Sequence, residues 1–347
     1  MTERTQNQQR AAKRAETLRR LDRDGSLPDV VQSTRALWEG GLAPSEIRLR
    51  TAYLRNPRMP AGPLDDRRRP PAAALPRFAQ LLVSQGVALQ FHLTALFAAQ
   101  CTTGPGRPWR NGIPLDRRRT DADFTWLDLV ASSARSGKGA DYVSGHTGNK
   151  LRQLRAALET LSRKGLVGLG RSGDGLRYDD FELLKEGGRN SRAGAVRYRV
   201  PSLSEACLAV PREFFTQGWV HVLTKSETAA YLMWLQLGAL EEQVRVGWEV
   251  RAGLFGLSRE VYDTHQALAA FGLLEVTRPE GRREDGTWQG FARGDIPLLH
   301  RVRALPAGLT QNPARVVHAA VSKFAALGTW SRPLGLAPGP ATTAVDR

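Results

Sequence analysis

The sequence predicts a mainly α protein with small β-hairpins, of the α+β class, in which one set of elements occurs twice. Apolar residues recur at helical spacing over several segments of the 347-residue chain. Two of these segments end in a glycine that is followed by a short strand-like run. Each run is followed by a polar, Gly-rich stretch and a second strand-like segment. Helices are therefore expected to dominate, and the strands to be confined to hairpins.

The two sets of elements are related by a shift of 107 positions, which indicates an internal repeat. Upstream of each third helix lie a long apolar segment, at 81–100 and 226–242, and a shorter one that contains Trp126 or Trp248. The predicted order is helix, short helix, helix and hairpin, twice. The shift aligns Leu154 with Val261, Leu161 with Leu268, Gly165 with Gly272, Leu166 with Leu273, Val167 with Leu274, Leu169 with Val276, and Arg171 with Arg278.

The third helix of the second copy is predicted from its end signals. Ser258 is a residue type that caps helix amides, and Gly272 suits a left-handed stop at the other end. Between them Val261, Leu268 and Phe271 follow a helical apolar pattern. The second strands of the two hairpins are predicted at 195–201 and 296–303, each after a Gly-rich stretch.

The regions outside the repeat set the predicted domain boundaries. Residues 1–77 are expected to form a basic helical extension and a Pro- and Arg-rich linker, with two short helices in 28–55 divided by Gly40 and Gly41. The two copies of the repeat then occupy residues 78–203 and 204–325. Residues 326–347 hold few large apolar side chains and are predicted to be a disordered tail.

The charge balance points to a polyanionic partner. Lys and Arg number 50 against 34 Asp and Glu, which gives a formal charge of +16 and a pI near 10.7. Nucleic acid is the first candidate and a membrane surface the second. The longest apolar span, 229–240, falls well short of the roughly 20 residues that cross a bilayer. We therefore expect a cytoplasmic protein with no membrane partner.

The repeated order of three helices and a hairpin resembles the winged helix-turn-helix domain. Two such domains in tandem, over roughly 80–305, resemble the replication initiator-like proteins of plasmids and integrative elements in high-GC bacteria, and "VPREFFTQGWVHVLTKSETAAYLMWL" (210–235) is similar to the entry into their second domain. The resemblance implies a nucleoid-associated protein that binds double-stranded DNA sequence-specifically and recruits host replication proteins. A transcriptional regulator and a protein interaction module without specific DNA readout stay open as alternatives.

Candidate DNA-binding residues lie on the third helix and the hairpin of each copy. In the first copy, buried Leu151, Leu154, Leu158 and Leu161 leave side chains of base-reading and phosphate-binding type facing outward. In the second copy Glu260 and Asp263 repel phosphate, so that helix is expected to bind a half-site more weakly or to form a homodimer face. The candidates are Asn149, Lys150, Arg152, Gln153 and Arg155 on the first helix, Arg259, Tyr262 and Gln266 on the second, and Arg171, Arg177, Arg282 and Arg283 on the hairpins.

The sequence carries no pattern typical of catalysis. The six histidines include no His-x-His pair of the kind that holds a metal in nicking enzymes. Cys101 and Cys207 have no Cys or His neighbour at zinc-binding spacing. The "SGKG" at 136–139 lacks the first glycine and the final Ser or Thr of a phosphate loop, and His146 is interpreted as a surface residue. We expect a protein that is not an enzyme and needs no metal or cofactor.

Overall fold

A computed structural model of the protein describes residues 3–59, 71–116, 124–131, 146–171, 173, 176–187, 195–279, 281 and 299–331. The fold is mainly helical, with three two-stranded antiparallel sheets among these residues. None of the described helices is both long enough and apolar enough to cross a membrane. Residues 60–70 of the predicted linker, residues 132–145, which contain the SGKG sequence, and the part of the predicted tail beyond 331 lie outside the described residues.

The first copy of the repeat has the predicted order of elements. It consists of α4 (Arg77–Leu82), α5 (Ala88–Thr102), α6 (Trp126–Leu129), α7 (His146–Arg163), β2 (Val167–Gly168) and β3 (Glu182–Leu183). The long apolar segment at 81–100 was predicted as one helix and is two, because the chain turns at Gly86 with φ +74°. A reciprocal hydrogen-bond pair between Thr125 and Asp128 caps α6.

The second copy follows the same order with a shorter third helix. It comprises α10 (Lys225–Gly238), a π-helical turn (Val250–Leu254), α11 (Arg259–Asp263), α12 (His265–Ala270), β5 (Leu274–Thr277) and β6 (Arg301–Ala304). The prediction of one continuous third helix is wrong, since it divides at Thr264. Ser258 precedes α11, but its side chain makes no capping hydrogen bond.

The two aligned glycines end their helices as predicted. Gly165 has φ +66° and Gly272 has φ +76°, values that side chains other than glycine rarely adopt. Immediately after each glycine the chain enters the first strand of a hairpin. The repeat in the sequence is therefore a repeat in backbone conformation at these positions.

The two hairpins differ in how well they match the prediction. β5 pairs with β6 from Leu274 opposite Ala304 to Thr277 opposite Arg301, as expected. In the first copy β2 pairs with β3, and the segment predicted as its partner instead adds a single bridge from Arg197 to Leu184. The predicted partner was one strand too far along the chain. Its alternating apolar residues Tyr198 and Val200 are buried, and the backbone N–H of Tyr198 donates to the carbonyl oxygen of Leu183 on β3 at 2.8 Å.

The N-terminal segment is part of the fold rather than an extension from it. It forms α1 (Glu3–Arg23), α2 (Ser26–Glu39), β1 (Glu46–Arg50) and α3 (Thr51–Leu54). The second helix expected in 28–55 is largely strand β1, which pairs with β4 (Cys207–Pro211) from Glu46 opposite Pro211 to Arg50 opposite Cys207. The physical reason is the alternation in "EIRLR", which buries Ile47 and Leu49 on one face.

Helix α1 packs along the last helix, α13 (Pro313–Leu327). Ala11, Ala15, Leu18 and Leu21 supply its buried stripe. Arg14 binds both carboxylate oxygens of Glu227 at 2.6 and 2.7 Å, which fixes α1 to the start of α10. The predicted basic helix is thus confirmed, but it is held by the second copy.

A buried ionic group joins β1 to the end of the first copy. Arg50 contacts Glu186 at 2.8 Å and Glu205 at 2.7 Å, and it donates to the carbonyl oxygen of Arg199 at 2.8 Å. Burial raises the pKa of Glu186 and Arg50 opposes that shift. The hydrogen bond from Arg50 lowers the pKa of Glu205 to about 2. The N-terminal segment therefore also fixes the position of the first copy.

One continuous apolar core runs through both copies. Trp126, Phe91 and Phe181 pack within the first copy at ring centroid distances of 5.1 to 5.6 Å. Phe97 stacks on Phe215 at 4.9 Å and so joins α5 to the short helix α8 (Glu213–Thr216) that leads into the second copy. This packing holds α7 and the first hairpin on a support that extends beyond a single copy.

Candidate nucleic-acid interface

Helix α7 presents a polar face opposite its buried face. Leu151, Leu154, Leu158 and Leu161 are at most 4% exposed, as predicted. On the other side Arg152 and Arg155 are exposed, with Arg163 further along the same face. Asn149 and Gln153 are half-buried at its margins. Four of the five predicted α7 residues are thus accessible from one side of the helix.

Lys150 is the exception, and its expected exposure is corrected. It is only 9% exposed. It precedes Leu154 by four residues, so it lies on the same side of the helix as the buried leucines. Burial lowers the pKa of its amine, although nearby Asp128 and Asp29 act in the opposite direction. Lys150 therefore does not belong to the outward face of α7.

A cluster of four side chains joins the outward face of α7 to the first hairpin. The guanidinium carbons of Arg155 and Arg177 each lie 5.6 Å from the centre of the Tyr178 ring. Arg177 contacts Glu159 at 2.9 Å, and the Tyr178 hydroxyl donates to the same carboxylate oxygen at 2.9 Å. Two cations stacked on one ring and one shared acceptor fix the helix relative to the hairpin turn. We call these residues the Tyr178 cluster.

Tyr178 was not among the predicted site residues. Its position in the polar stretch between the strands suggested only a loop. The signal that could have identified it is an aromatic residue directly after Arg177 in a stretch that is otherwise mostly small and charged. Partial burial and the hydrogen bond to Glu159 raise the pKa of its hydroxyl. The group therefore remains a donor at neutral pH.

The hairpin adds further positive charge beside α7. Arg171, three residues after the end of β2, is exposed, as is Lys185 after β3. Arg197 pairs with Glu182 at 2.8 Å, and Arg199 donates to the carbonyl oxygen of Gly106 at 2.9 and 3.0 Å. Arg171 and Lys185 are thus exposed cations of the first hairpin, whereas the charge of Arg197 is balanced by Glu182.

The third helix of the second copy forms a weaker surface. Arg259 is 4.0 Å from Asp263 one turn along the helix, so part of its charge is balanced locally. Tyr262 packs between Trp234 at 5.9 Å and His265 at 4.9 Å and is half-buried. Gln266 is exposed on α12. Arg282 and Arg283, the predicted residues of the second hairpin, lie outside the described residues.

The side chains that could bind a metal are dispersed. Within the described part of the chain, no group of three His, Cys, Asp or Glu residues is arranged to hold an ion. Burial lowers the pKa of His92 and His221 to about 3, so both are neutral in the interior. His146, which was interpreted from the sequence as a surface residue, is the first residue of α7.

No protein-family model, no curated protein and no solved structure matches this chain. No relative therefore assigns a function to the α7 face or to the Tyr178 cluster. Their geometry and charge are the observations from which a function can be inferred.

Proposed function

We propose that this protein binds double-stranded DNA sequence-specifically, with the outward face of α7 in the major groove and the first hairpin on the neighbouring backbone. The observation that carries the proposal is the Tyr178 cluster, which holds an arginine-bearing helix and a basic hairpin in one fixed arrangement. A formal charge of +16 on the whole chain supports a polyanionic partner.

The side chains on α7 suit base recognition. A single α-helix fits the width of the major groove of B-form DNA. Arginine bonds two acceptors of guanine, and asparagine or glutamine bonds adenine in the same way. Arg152 and Arg155 supply the first chemistry, and Asn149 and Gln153 supply the second. Arg171 and Lys185 on the hairpin suit phosphate contacts, which position a protein on the duplex without reading sequence.

The second copy has a smaller role in this proposal. Its third helix is divided into segments of 5 and 6 residues, and its exposed face carries Glu260 and Asp263 beside Arg259. Carboxylates on that face repel phosphate. We therefore assign the second copy to weaker half-site binding or to contact between two protein molecules.

The biological process proposed for this binding is replication initiation of a plasmid or integrative element. It is supported by the order of helices and hairpins in the two copies, which resembles that of tandem winged-helix initiators. A transcriptional regulator would use the same DNA-binding surface. Cloning the gene with its flanking DNA into a vector without an origin distinguishes the two roles, because only an initiator restores autonomous replication.

The DNA-binding proposal is tested with a duplex selected from a random pool by the full-length protein. Replacing both Arg152 and Arg155 with alanine removes two base contacts, each worth roughly 1–3 kcal/mol of discrimination. We expect affinity for the selected duplex to fall at least about thirtyfold, towards the affinity for unrelated DNA. Fluorescence anisotropy at two salt concentrations measures both affinities.

Two exposed arginines outside the α7 face serve as matched controls. Arg259→Ala on α11 and Arg315→Ala on α13 each remove the same charge, and each is expected to lower the affinity several-fold at most. Thermal unfolding of every variant shows whether the fold is retained. The proposal fails if Arg259→Ala weakens specific binding more than the double variant does.

A further inference from the structure

An acidic cavity of about 650 Å³ lies where α2, α6 and the first turn of α7 meet. It is on the side of α7 that carries Lys150, so it is separate from the outward face. Its volume falls within the range of about 300–1,000 Å³ that is usual for sites that bind small molecules. The charged residues that line it are Asp24, Asp29, Asp116, Asp128 and Lys150.

Lys150 is the buried cation of this cavity. It is more than nine-tenths buried and lines the cavity wall. Among the described residues it makes no hydrogen bond and no ion pair within 4.0 Å, although it interacts electrostatically with Asp29 and Asp128. The Lys150 nitrogen is not among the fully buried polar atoms, and His221 also interacts with it electrostatically, so a bound acceptor would take the place of water at this nitrogen. Thr147, in the first turn of α7, lines the cavity beside it, where a helix favours negative charge.

The carboxylates of the cavity are spread along its wall rather than gathered at one point. Asp24 and Asp29 come from the turn before α2 and its first turns, whereas Asp116 and Asp128 come from the segment around α6. No three acidic side chains in the described structure are arranged to hold a metal ion. An elongated organic cation fits this distribution better than a single ion does.

We propose that this cavity binds a small zwitterion with one carboxylate and at least one ammonium or guanidinium group, which is the chemistry of a basic amino acid. The carboxylate accepts a hydrogen bond from Lys150 at the start of α7, and the cationic groups face Asp24 and Asp29. A ligand without a carboxylate offers Lys150 no hydrogen-bond acceptor. A simple anion is repelled by the four aspartates of the cavity. Only a molecule that carries both a carboxylate and a cationic group complements all of the charged side chains that line the cavity.

The test compares L-arginine with agmatine, which has the same guanidinium but lacks the carboxylate. Isothermal titration calorimetry of the full-length protein at millimolar ligand measures both dissociation constants. We expect arginine to bind at least about tenfold more tightly than agmatine, and to raise the midpoint of thermal unfolding. Binding of agmatine as tight as that of arginine, or no binding of arginine, would overturn the proposal.

Substitutions in the cavity show which residue binds which end of the ligand. Lys150→Met keeps the buried stem and is expected to abolish the preference for arginine over agmatine. Asp24→Asn changes an exposed residue at the rim and is expected to weaken both ligands several-fold, whereas Asp180→Asn on the hairpin is the matched control and leaves both unchanged. If Lys150→Met fails to fold, the Asp24→Asn comparison still decides, because unchanged affinities in that variant contradict the proposal. Neither outcome depends on whether the α7 face binds DNA.

Discussion

The position of each residue along α7 decides whether its side chain is buried or exposed. Leu151, Leu154, Leu158 and Leu161 are buried as their spacing predicts. Lys150 lies on the same side of the helix. It was predicted to face outward because it is a lysine, although its spacing from Leu154 places it on the buried side. Helical spacing alone would have placed it correctly. The carboxylates that interact with it, Asp29 and Asp128, come from α2 and α6, and local sequence does not indicate which distant segment lies beside a helix.

Glu186 provides the sharpest prediction for a single residue. It is fully buried and pairs with Arg50 at 2.8 Å. Because truncation removes one of the two carboxylates that Arg50 binds and leaves Glu205 as the remaining one, we expect Glu186→Ala to lower the free energy of unfolding by about 1.5–3 kcal/mol. Chemical denaturation measures the change. The control is Glu182→Ala, which breaks an exposed pair with Arg197 and should cost less than about 1 kcal/mol. Equal losses of stability in the two variants would show that the buried pair stabilises the fold no more than the exposed pair does.

His221 gives a prediction about pH. Burial lowers the pKa of its ring to about 3, and neither ring nitrogen has a hydrogen-bond partner in the described structure. Below the ordinary histidine pKa of 6.5 the unfolded chain binds a proton that the folded chain does not, so stability falls as pH decreases from about 6.5 towards 3.

Removing this histidine should reduce the loss of stability in acid. We expect His221→Leu to lose about 1.4 kcal/mol less per pH unit than the unchanged protein between pH 6 and 4. Urea denaturation at a series of pH values measures both slopes. Parallel slopes would mean that His221 is protonated in the folded state.

Elements that depend on local signals were predicted well. The aligned glycines end their helices, and the order of helices and hairpins occurs twice as expected. Strand β1 was missed because its partner β4 is more than 150 residues away along the chain, and a short alternating pattern does not reveal a distant partner. The division of the second copy's third helix at Thr264 also had no clear sequence signal.

The Tyr178 cluster gives a prediction at the scale of elements. If it fixes the first hairpin relative to α7, Tyr178→Ala should weaken binding to the selected duplex about tenfold, or ~1.4 kcal/mol, while the half-buried position limits the loss of stability. Tyr178→Phe keeps the ring that both arginines contact and loses only the hydrogen bond to Glu159, so a smaller effect is expected. Fluorescence anisotropy measures the loss of DNA binding and thermal unfolding measures the loss of stability, so the two effects are separated. Identical binding by the alanine and phenylalanine variants would show that the ring does not fix the hairpin.

The whole molecule joins its two copies through the N-terminal segment. Strand β1 pairs with β4 in the second copy, Arg50 binds Glu186 near the end of the first copy, and Arg14 binds the start of α10. The sequence predicted a separate extension because a Pro- and Arg-rich stretch follows these elements. Composition indicates where a chain is irregular, but not whether the segments on either side pack together. The α7 face is consequently presented by a support that includes both copies.

The most direct test of the central claim is photo-cross-linking from the middle of the α7 face. A photoreactive amino acid in place of Ala156, which is exposed between Arg152 and Arg163, is compared with the same group in place of Gln266 on α12. The account predicts efficient cross-linking to the selected duplex from position 156, lost with an unrelated duplex, and little from position 266. Cross-linking from position 266 alone, or none from position 156 in a protein that still binds the duplex, would contradict it.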